Sequence, residues 1–407
     1  MCVHYYNLDS GGQTDIVFLD FSKAFDSVSH VLLLHKLKMY GFNGALLSWL
    51  RAYLSDRRQR VLIEGSASMW LPVTSGVPQG SILGPLLFLL YINDMPSVTS
   101  SSETALFADD AKCIKRIFSQ ADSRALQVDL NRLHEWSTVW SLTFNVEKCK
   151  VLTISRSRSP VKFDYSLGGV LLENVGSFKD LGVVIDSSLS FREHTRLLIG
   201  KANATAGMIK RTMGYHAPCR ATLQLYSALT RSQFEYCSPV WSPFLNCDIK
   251  RIESVQRSMT RYILGYPESL TYRERCIDLN LMPLSYRREI SDLVFLFKCM
   301  HDVYDVNFKD NFNFVTTQSR LRSADNGKLL RSNLVSTECF KYSYFNRVTR
   351  MWNRLPRNVR DCEDLNVFKD GVSKCYLNKL LTEYDIDNSC TWSSTCRCQL
   401  CSCIANY

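Results

Sequence analysis

Two short acidic phrases carry side chains that could do chemistry together. In Leu19-Asp20-Phe21-Ser22-Lys23-Ala24-Phe25-Asp26, Asp20 closes the apolar run Ile16-Val17-Phe18-Leu19, which reads as a buried strand. In Phe107-Ala108-Asp109-Asp110-Ala111, the acidic pair stands between two short apolar stretches and reads as strand, tight turn, strand. Three carboxylates are therefore expected at the ends of neighbouring strands. Grouped carboxylates repel one another and are stable together mainly when they hold cations. Oxygen ligands of this kind suit hydrated Mg²⁺. Two such ions about 4 Å apart can clamp the attacking and leaving oxygens of a phosphoryl transfer. Taken singly, each phrase has a plainer explanation: an Asp-Asp pair is commonly a solvated turn, and a strand-ending Asp a turn residue or helix cap.

A third segment lies between them: Ser75-Gly76-Val77-Pro78-Gln79-Gly80-Ser81-Ile82-Leu83-Gly84-Pro85, just before an apolar helical run from Leu86 to Asn93. Glycines here let the backbone approach another chain. An amide side chain such as that of Gln79 can read or position a base.

Together, and in this order, the three phrases resemble the reverse transcriptase palm of LINE-type (non-LTR) retrotransposons. The resemblance continues through Asn145-Val146-Glu147-Lys148-Cys149-Lys150 and Phe178-Lys179-Asp180-Leu181-Gly182-Val183. It runs on at Val255-Gln256-Arg257, Tyr286-Arg287-Arg288 and Met351-Trp352-Asn353-Arg354-Leu355-Pro356, so it covers nearly the whole chain. It implies an RNA-directed DNA polymerase that joins a deoxynucleotide to a primer 3′-hydroxyl, with RNA template, DNA primer and dNTP as partners. Asp20, Asp109 and Asp110 would hold two Mg²⁺ ions. Phe25 would lie under the sugar and exclude a 2′-hydroxyl, although it also reads as an ordinary core residue. Gln79 and Gly80 would approach the templating pair. Lys148 would protonate the pyrophosphate leaving group, with an exposed turn lysine as the plainer reading and Lys150 as a competing candidate.

The implied fold is α+β: an antiparallel palm sheet backed by helices, then a mainly helical thumb and a Cys-rich tail. The expected domains are 1–190 (palm), 191–305 (thumb), 306–389 (mixed basic and aromatic) and 390–407 (tail). In the tail, Cys396, Cys398, Cys401 and Cys403 follow Cys390 at spacings that could suit Zn²⁺, while a reduced tail without metal is the simpler expectation. The other eleven of the 16 cysteines read as small core residues.

The 407 residues can bury a sizeable core. Residues 1–190 carry 18 basic and 18 acidic side chains, so the formal charge of +10 lies wholly in 191–407. That suits a second half gripping a phosphate backbone, and equally an ordinary basic surface. No basic region followed by an apolar run opens the chain, and the longest apolar stretch, Ile82 to Ile92, is too short to span a bilayer. Sixteen cysteines without a signal argue for reduced thiols, in the nucleus and cytoplasm.

Several elements must position the carboxylates. Val31, Leu34, Leu37 and Tyr40 recur at near-helical spacing, and a second helix covers Leu46 to Leu54. Gln59 to Glu64 reads as a strand. From Ala121 to Leu142, Leu126, Leu130, Leu133, Trp136 and Trp140 mark an amphipathic helix packing on a sheet. Val151–Ile154 and Gly182–Ile185 are expected to close the palm sheet. Downstream, Ile252, Val255, Met259 and Ile263 form one helical face and Lys250, Arg257 and Arg261 another. The second face could meet duplex phosphates or merely solvent. Residues 341–352 interleave Arg with aromatics, which suits either base stacking or a small core with a basic rim.

The chain also departs from the resemblance. Only 19 residues precede Asp20, where a fingers region is expected, and no endonuclease or ribonuclease H pattern is visible. The reading is of a truncated element. Its alternative to an active polymerase is a catalytically inactive remnant that at most binds nucleic acid.

Overall fold

The computed structural model describes residues 7–214, 217–304, 312–315 and 328–382. Cys390, Cys396, Cys398, Cys401 and Cys403 lie outside the described residues. The chain forms two compact units, Gly11–Phe178 and Lys179 onward together with the residues before Gly11.

The first unit is built on a five-stranded sheet. Its order is Glu173–Asn174, Lys150–Ile154, Gln13–Leu19, Asp110–Ile117, Glu103–Phe107. Every pairing is antiparallel except that of Glu173–Asn174 with Lys150–Ile154, which is parallel. Gln13–Leu19 takes the centre because all seven of its residues are buried. The predicted helix is observed as Gln120–Val139, with Leu126, Leu130, Leu133 and Trp136 buried. Ser119 and Asp122 close a capping box that starts it. Each fully buried leucine contributes about 1.5–3 kcal/mol to holding helix on sheet. About two turns further along the same helix, the Asp129 carboxylate accepts hydrogen bonds from the amides of Ser100, Ser101 and Ser102. Burial alone would raise its pKa, but these bonds and the serine hydroxyls outweigh it and hold the group well below the carboxylate range. The loop that delivers the strand Glu103–Phe107 is fixed this way.

Three local expectations need correction. The first helix is present as His30–Met39, but it buries Leu33, Lys36 and Leu37, while Val31 and Tyr40 are exposed. Lys36 was invisible as a core residue because its burial needs partners from distant segments: Asp94 Oδ1 at 2.6 Å and the ring of Trp140 at 3.7 Å. Gln59 to Glu64 is not one strand but the stem of a hairpin arm, paired as Arg58–Gln59 with Leu71–Pro72 and Leu62–Ile63 with Ser66–Ala67. Val183–Asp186 pairs with Ser177–Asp180 in a separate ribbon and does not join the five-stranded sheet. Its periodicity signals a strand; nothing local names its partner.

The second unit is mainly helical. Asn246–Ile263 buries Ile252, Val255, Met259 and Ile263 as their spacing predicts. Lys250 and Arg261 are exposed, and the Arg257 guanidinium lies 4.2 Å over the Tyr272 ring. In Tyr344–Asn353, Val348, Met351 and Trp352 are buried. Arg347 is buried with them, bonded through Nε to Asp292 Oδ2 at 2.7 Å. These aromatics are spent on a small core. Of the ten described cysteines, Cys113, Cys149, Cys276 and Cys299 are buried and Cys219 and Cys247 exposed, so the core reading holds for only some of them. Among the described residues no helix is long and apolar enough to cross a membrane.

Candidate active site

The register of the sheet brings the three carboxylates to one end of its strands. Gln13–Leu19 and Asp110–Ile117 end their pairing at Leu19↔Ala111, and one step beyond stand Asp20 and Asp110. Side chains opposite one another on adjacent strands project to the same face. Phe107↔Asp110 closes the neighbouring hairpin, leaving Ala108 and Asp109 as a two-residue turn. Ala108 takes the left-handed conformation this tight reversal demands, with φ of 51°.

Asp20 is gripped by one turn of the chain. Its carbonyl accepts the Asn145 amide at 2.8 Å. Its own N–H donates to Cys149 Sγ at 3.4 Å. Its Oδ2 lies 3.3 Å from Lys148 Nζ. Phe21 bridges to Phe144 beside it, and the two rings stack with centroids 4.5 Å apart. Cys149 is fully buried, and burial raises its thiol pKa, so it stays a neutral partner. Sequence reasoning weighed Lys148 but missed Asn145 and Cys149. The signal was their place in the same phrase as Lys148. Lys150, the competing candidate, pairs with Glu173 at 2.7 Å instead.

The Gln79 segment docks on the residues that follow Asp20. Gly76 and Val77 donate their amides to the carbonyls of Val28 and Phe25, each at 2.8 Å. Ser75 Oγ donates to the Asp26 carbonyl at 2.9 Å, and Gln79 Nε2 to Asp26 Oδ1 at 2.8 Å. At Gly76, with φ of 89°, a Cβ would meet the Asp26 backbone at 2.8 Å. The close approach this glycine permits is therefore to the chain itself. Gly80 has open space around it. Phe25 is half-buried, its ring stacked on Phe88 with centroids 4.4 Å apart.

Among the described residues no group of three or more His, Cys, Asp or Glu is gathered closely enough to enclose a metal ion. A closed cage is not what Mg²⁺ requires, since it keeps several waters and is held by one or two carboxylates with substrate phosphates. The residues fit that demand in the chemistry of their donors, since the hard carboxylate oxygens of Asp20, Asp109 and Asp110 stand at one end of paired strands. Asp20 Oδ2 accepts no hydrogen bond, but the Lys148 ammonium 3.3 Å away meets its charge.

Residues 4–185 match the family described as reverse transcriptase (RNA-dependent DNA polymerase). The RNA-directed DNA polymerase from mobile element jockey of Drosophila melanogaster is 29% identical over 282 residues, 66% of this chain and 30% of that protein. The probable RNA-directed DNA polymerase from transposon X-element of the same organism is 29% identical over 266 residues, 63% and 29% of the two chains. The chain thus spans about 30% of the length of these relatives. Among solved structures, apo telomerase from Candida tropicalis is similar at a TM-score of 0.37 and 10% identity, over 74% of this chain and 52% of that one. Residues 4–185 are thus similar to a reverse transcriptase domain, and the similar curated proteins are RNA-directed DNA polymerases of mobile elements.

Proposed function

We propose that this chain is the polymerase core of a non-LTR retrotransposon, adding deoxynucleotides to a DNA primer under the direction of an RNA template. The five-stranded unit would act as palm and the helical unit as thumb. The observation that carries the reading is the sheet register, with Asp20 and Asp110 facing each other one step past Leu19↔Ala111 and Asp109 in the adjoining turn.

In this reading Asp20, Asp109 and Asp110 hold two Mg²⁺ ions. When bound, these would lower the pKa of the primer hydroxyl and offset charge on the triphosphate. The chain supplies the rest by position. The Asn145–Cys149 turn holds Asp20 by its amide, carbonyl and carboxylate. Asp26 orients the Gln79 amide, and the docked backbone carries Gln79 and Gly80 toward the templating pair. Phe25 offers a ring edge to the sugar. Lys148 can release a proton to the leaving pyrophosphate.

Primer extension on poly(rA)–oligo(dT) with Mg²⁺ tests this, comparing the chain with its Asp109→Asn, Asp110→Asn variant. Extension by the wild type alone is expected. No extension by either, with duplex binding retained, would favour a nucleic-acid-binding remnant that has lost synthesis.

A further inference from the structure

Between the Asp20 phrase and the Gln79 segment the chain throws out an arm. From Ser55 to Ser75 no residue is buried. The arm is a hairpin held by Arg58↔Pro72, Gln59↔Leu71, Leu62↔Ala67 and Ile63↔Ser66. Its base continues the helix Gly44–Leu54. Large apolar side chains stand in solvent along it, among them Met69 at 83% and Trp70 at 55% exposure. A surface of this kind on a folded chain marks an interaction site.

The chemistry of the surface selects its occupant. Along the helix, Trp49 and Tyr53 stack with centroids 5.8 Å apart and planes 19° from parallel. The Arg57 guanidinium lies 5.7 Å over the Tyr53 ring. Further out, the Arg60 guanidinium lies 4.6 Å over the Trp70 ring. Rings and guanidinium planes thus stack on one another in two groups, Trp49–Tyr53–Arg57 at the helix and Arg60–Trp70 on the arm. Between Arg51 and Glu64 four arginines face two acidic residues, Asp56 and Glu64. A protein partner would have to desolvate those charges. An unpaired nucleic-acid strand uses both features at once, since bases stack on rings and guanidinium planes while phosphates pair with the charge. A duplex hides its base faces and can use only the charge.

We propose that Trp49, Tyr53, Arg57, Arg60 and Trp70 form a stacking rail for single-stranded nucleic acid. The inference deepens the polymerase reading by naming where an unpaired strand is held. It is tested without dNTP or metal, so a failure to synthesise DNA leaves it intact.

The experiment is fluorescence anisotropy of labelled single-stranded RNA, single-stranded DNA and duplex of equal length, with intrinsic tryptophan quenching read in parallel. Trp70→Ala is expected to weaken single-strand binding about ten- to a hundredfold, and Trp70→Phe to keep most of it. The Arg57→Gln, Arg60→Gln variant should lower the salt slope for single strands by about 1.4, the value for two lost phosphate contacts. Duplex affinity should be unchanged by Trp70→Ala. An RNA preference would assign the rail to a template; equal binding of DNA would assign it to any unpaired strand. Unchanged single-strand affinity in every variant overturns the proposal. So does equal loss for strand and duplex in the arginine variant with no effect of Trp70→Ala, which would describe charge without stacking. Dissociation of a self-associated chain by Trp70→Ala, with strand binding intact, would assign the arm to a second copy instead.

Discussion

Lys148 Nζ stands 3.3 Å from Asp20 Oδ2, the buried carboxylate oxygen that accepts no hydrogen bond. The lysine side chain is 67% exposed, so the pair adds little to stability. Its value would lie in holding a cation-binding carboxylate in place, or in supplying a proton.

These roles separate by substitution. Lys148→Ala should slow primer extension about tenfold or more while leaving the melting temperature unchanged. Lys148→Arg keeps the pairing but is too weak an acid to release its proton. Near-normal extension by that variant marks a positioning role, and loss equal to the alanine variant marks a proton donor. Lys150→Ala, which breaks the pair with Glu173, should extend primers normally. A Lys150 defect larger than that of Lys148 would reverse the assignment.

Phe25 has a structural duty as well as a proposed one. Phe25→Ala removes the stack on Phe88 and should cost about 2 kcal/mol in urea unfolding, less than the roughly 3–5 kcal/mol of a fully buried phenylalanine because it is only half-buried. If the ring also screens the sugar, ribonucleotide incorporation should rise relative to deoxynucleotide. Stability loss without any change in that ratio would leave Phe25 as core alone.

Gly76 and Gly80 are predicted to differ although both have positive φ, 89° and 83°. Gly76→Ala drives a Cβ into the Asp26 backbone, and should destabilise by roughly 2 kcal/mol or more and weaken extension with it. Gly80→Ala meets open space and bears only the left-handed conformation, roughly 1–2 kcal/mol. Chemical unfolding of the two variants in parallel decides, and equal costs would show that the Asp26 contact can yield.

His194 makes stability depend on pH. Its ring packs edge-on to Trp241 and its Nδ1 accepts the Val184 amide at 3.3 Å. Burial pushes its pKa down to about 4, with the Lys179 charge acting the same way. The folded state therefore resists a proton that the unfolded chain accepts near pH 6.5. Stability is full above about pH 6.5 and falls as pH drops toward 4, by up to about 3 kcal/mol from this residue. His194→Gln should flatten that limb of the stability–pH curve. An unchanged slope would mean that the ring is protonated in the fold.

The fold was legible where one segment holds its own signal. The apolar run before Asp20, the helix with Leu126, Leu130, Leu133 and Trp136, and the strand–turn–strand around Asp109 and Asp110 each state their form in local periodicity. Lys36 was not legible, because a buried lysine is tolerable only where Asp94 and Trp140 happen to meet it. Nor was the partner of Val183–Asp186, since a strand's alternation is the same whichever strand lies beside it.

The candidate site divides in the same way. The sequence by itself determined which carboxylates stand at strand ends and which phrases accompany them, because residue type and spacing are local properties. Only the tertiary structure decided that Asp20 faces Asp110, that Asn145, Lys148 and Cys149 close on Asp20, and that Gly76 packs against Asp26. Those relationships join residues distant in sequence. Strand register and side-chain packing fix them, and no single segment encodes either.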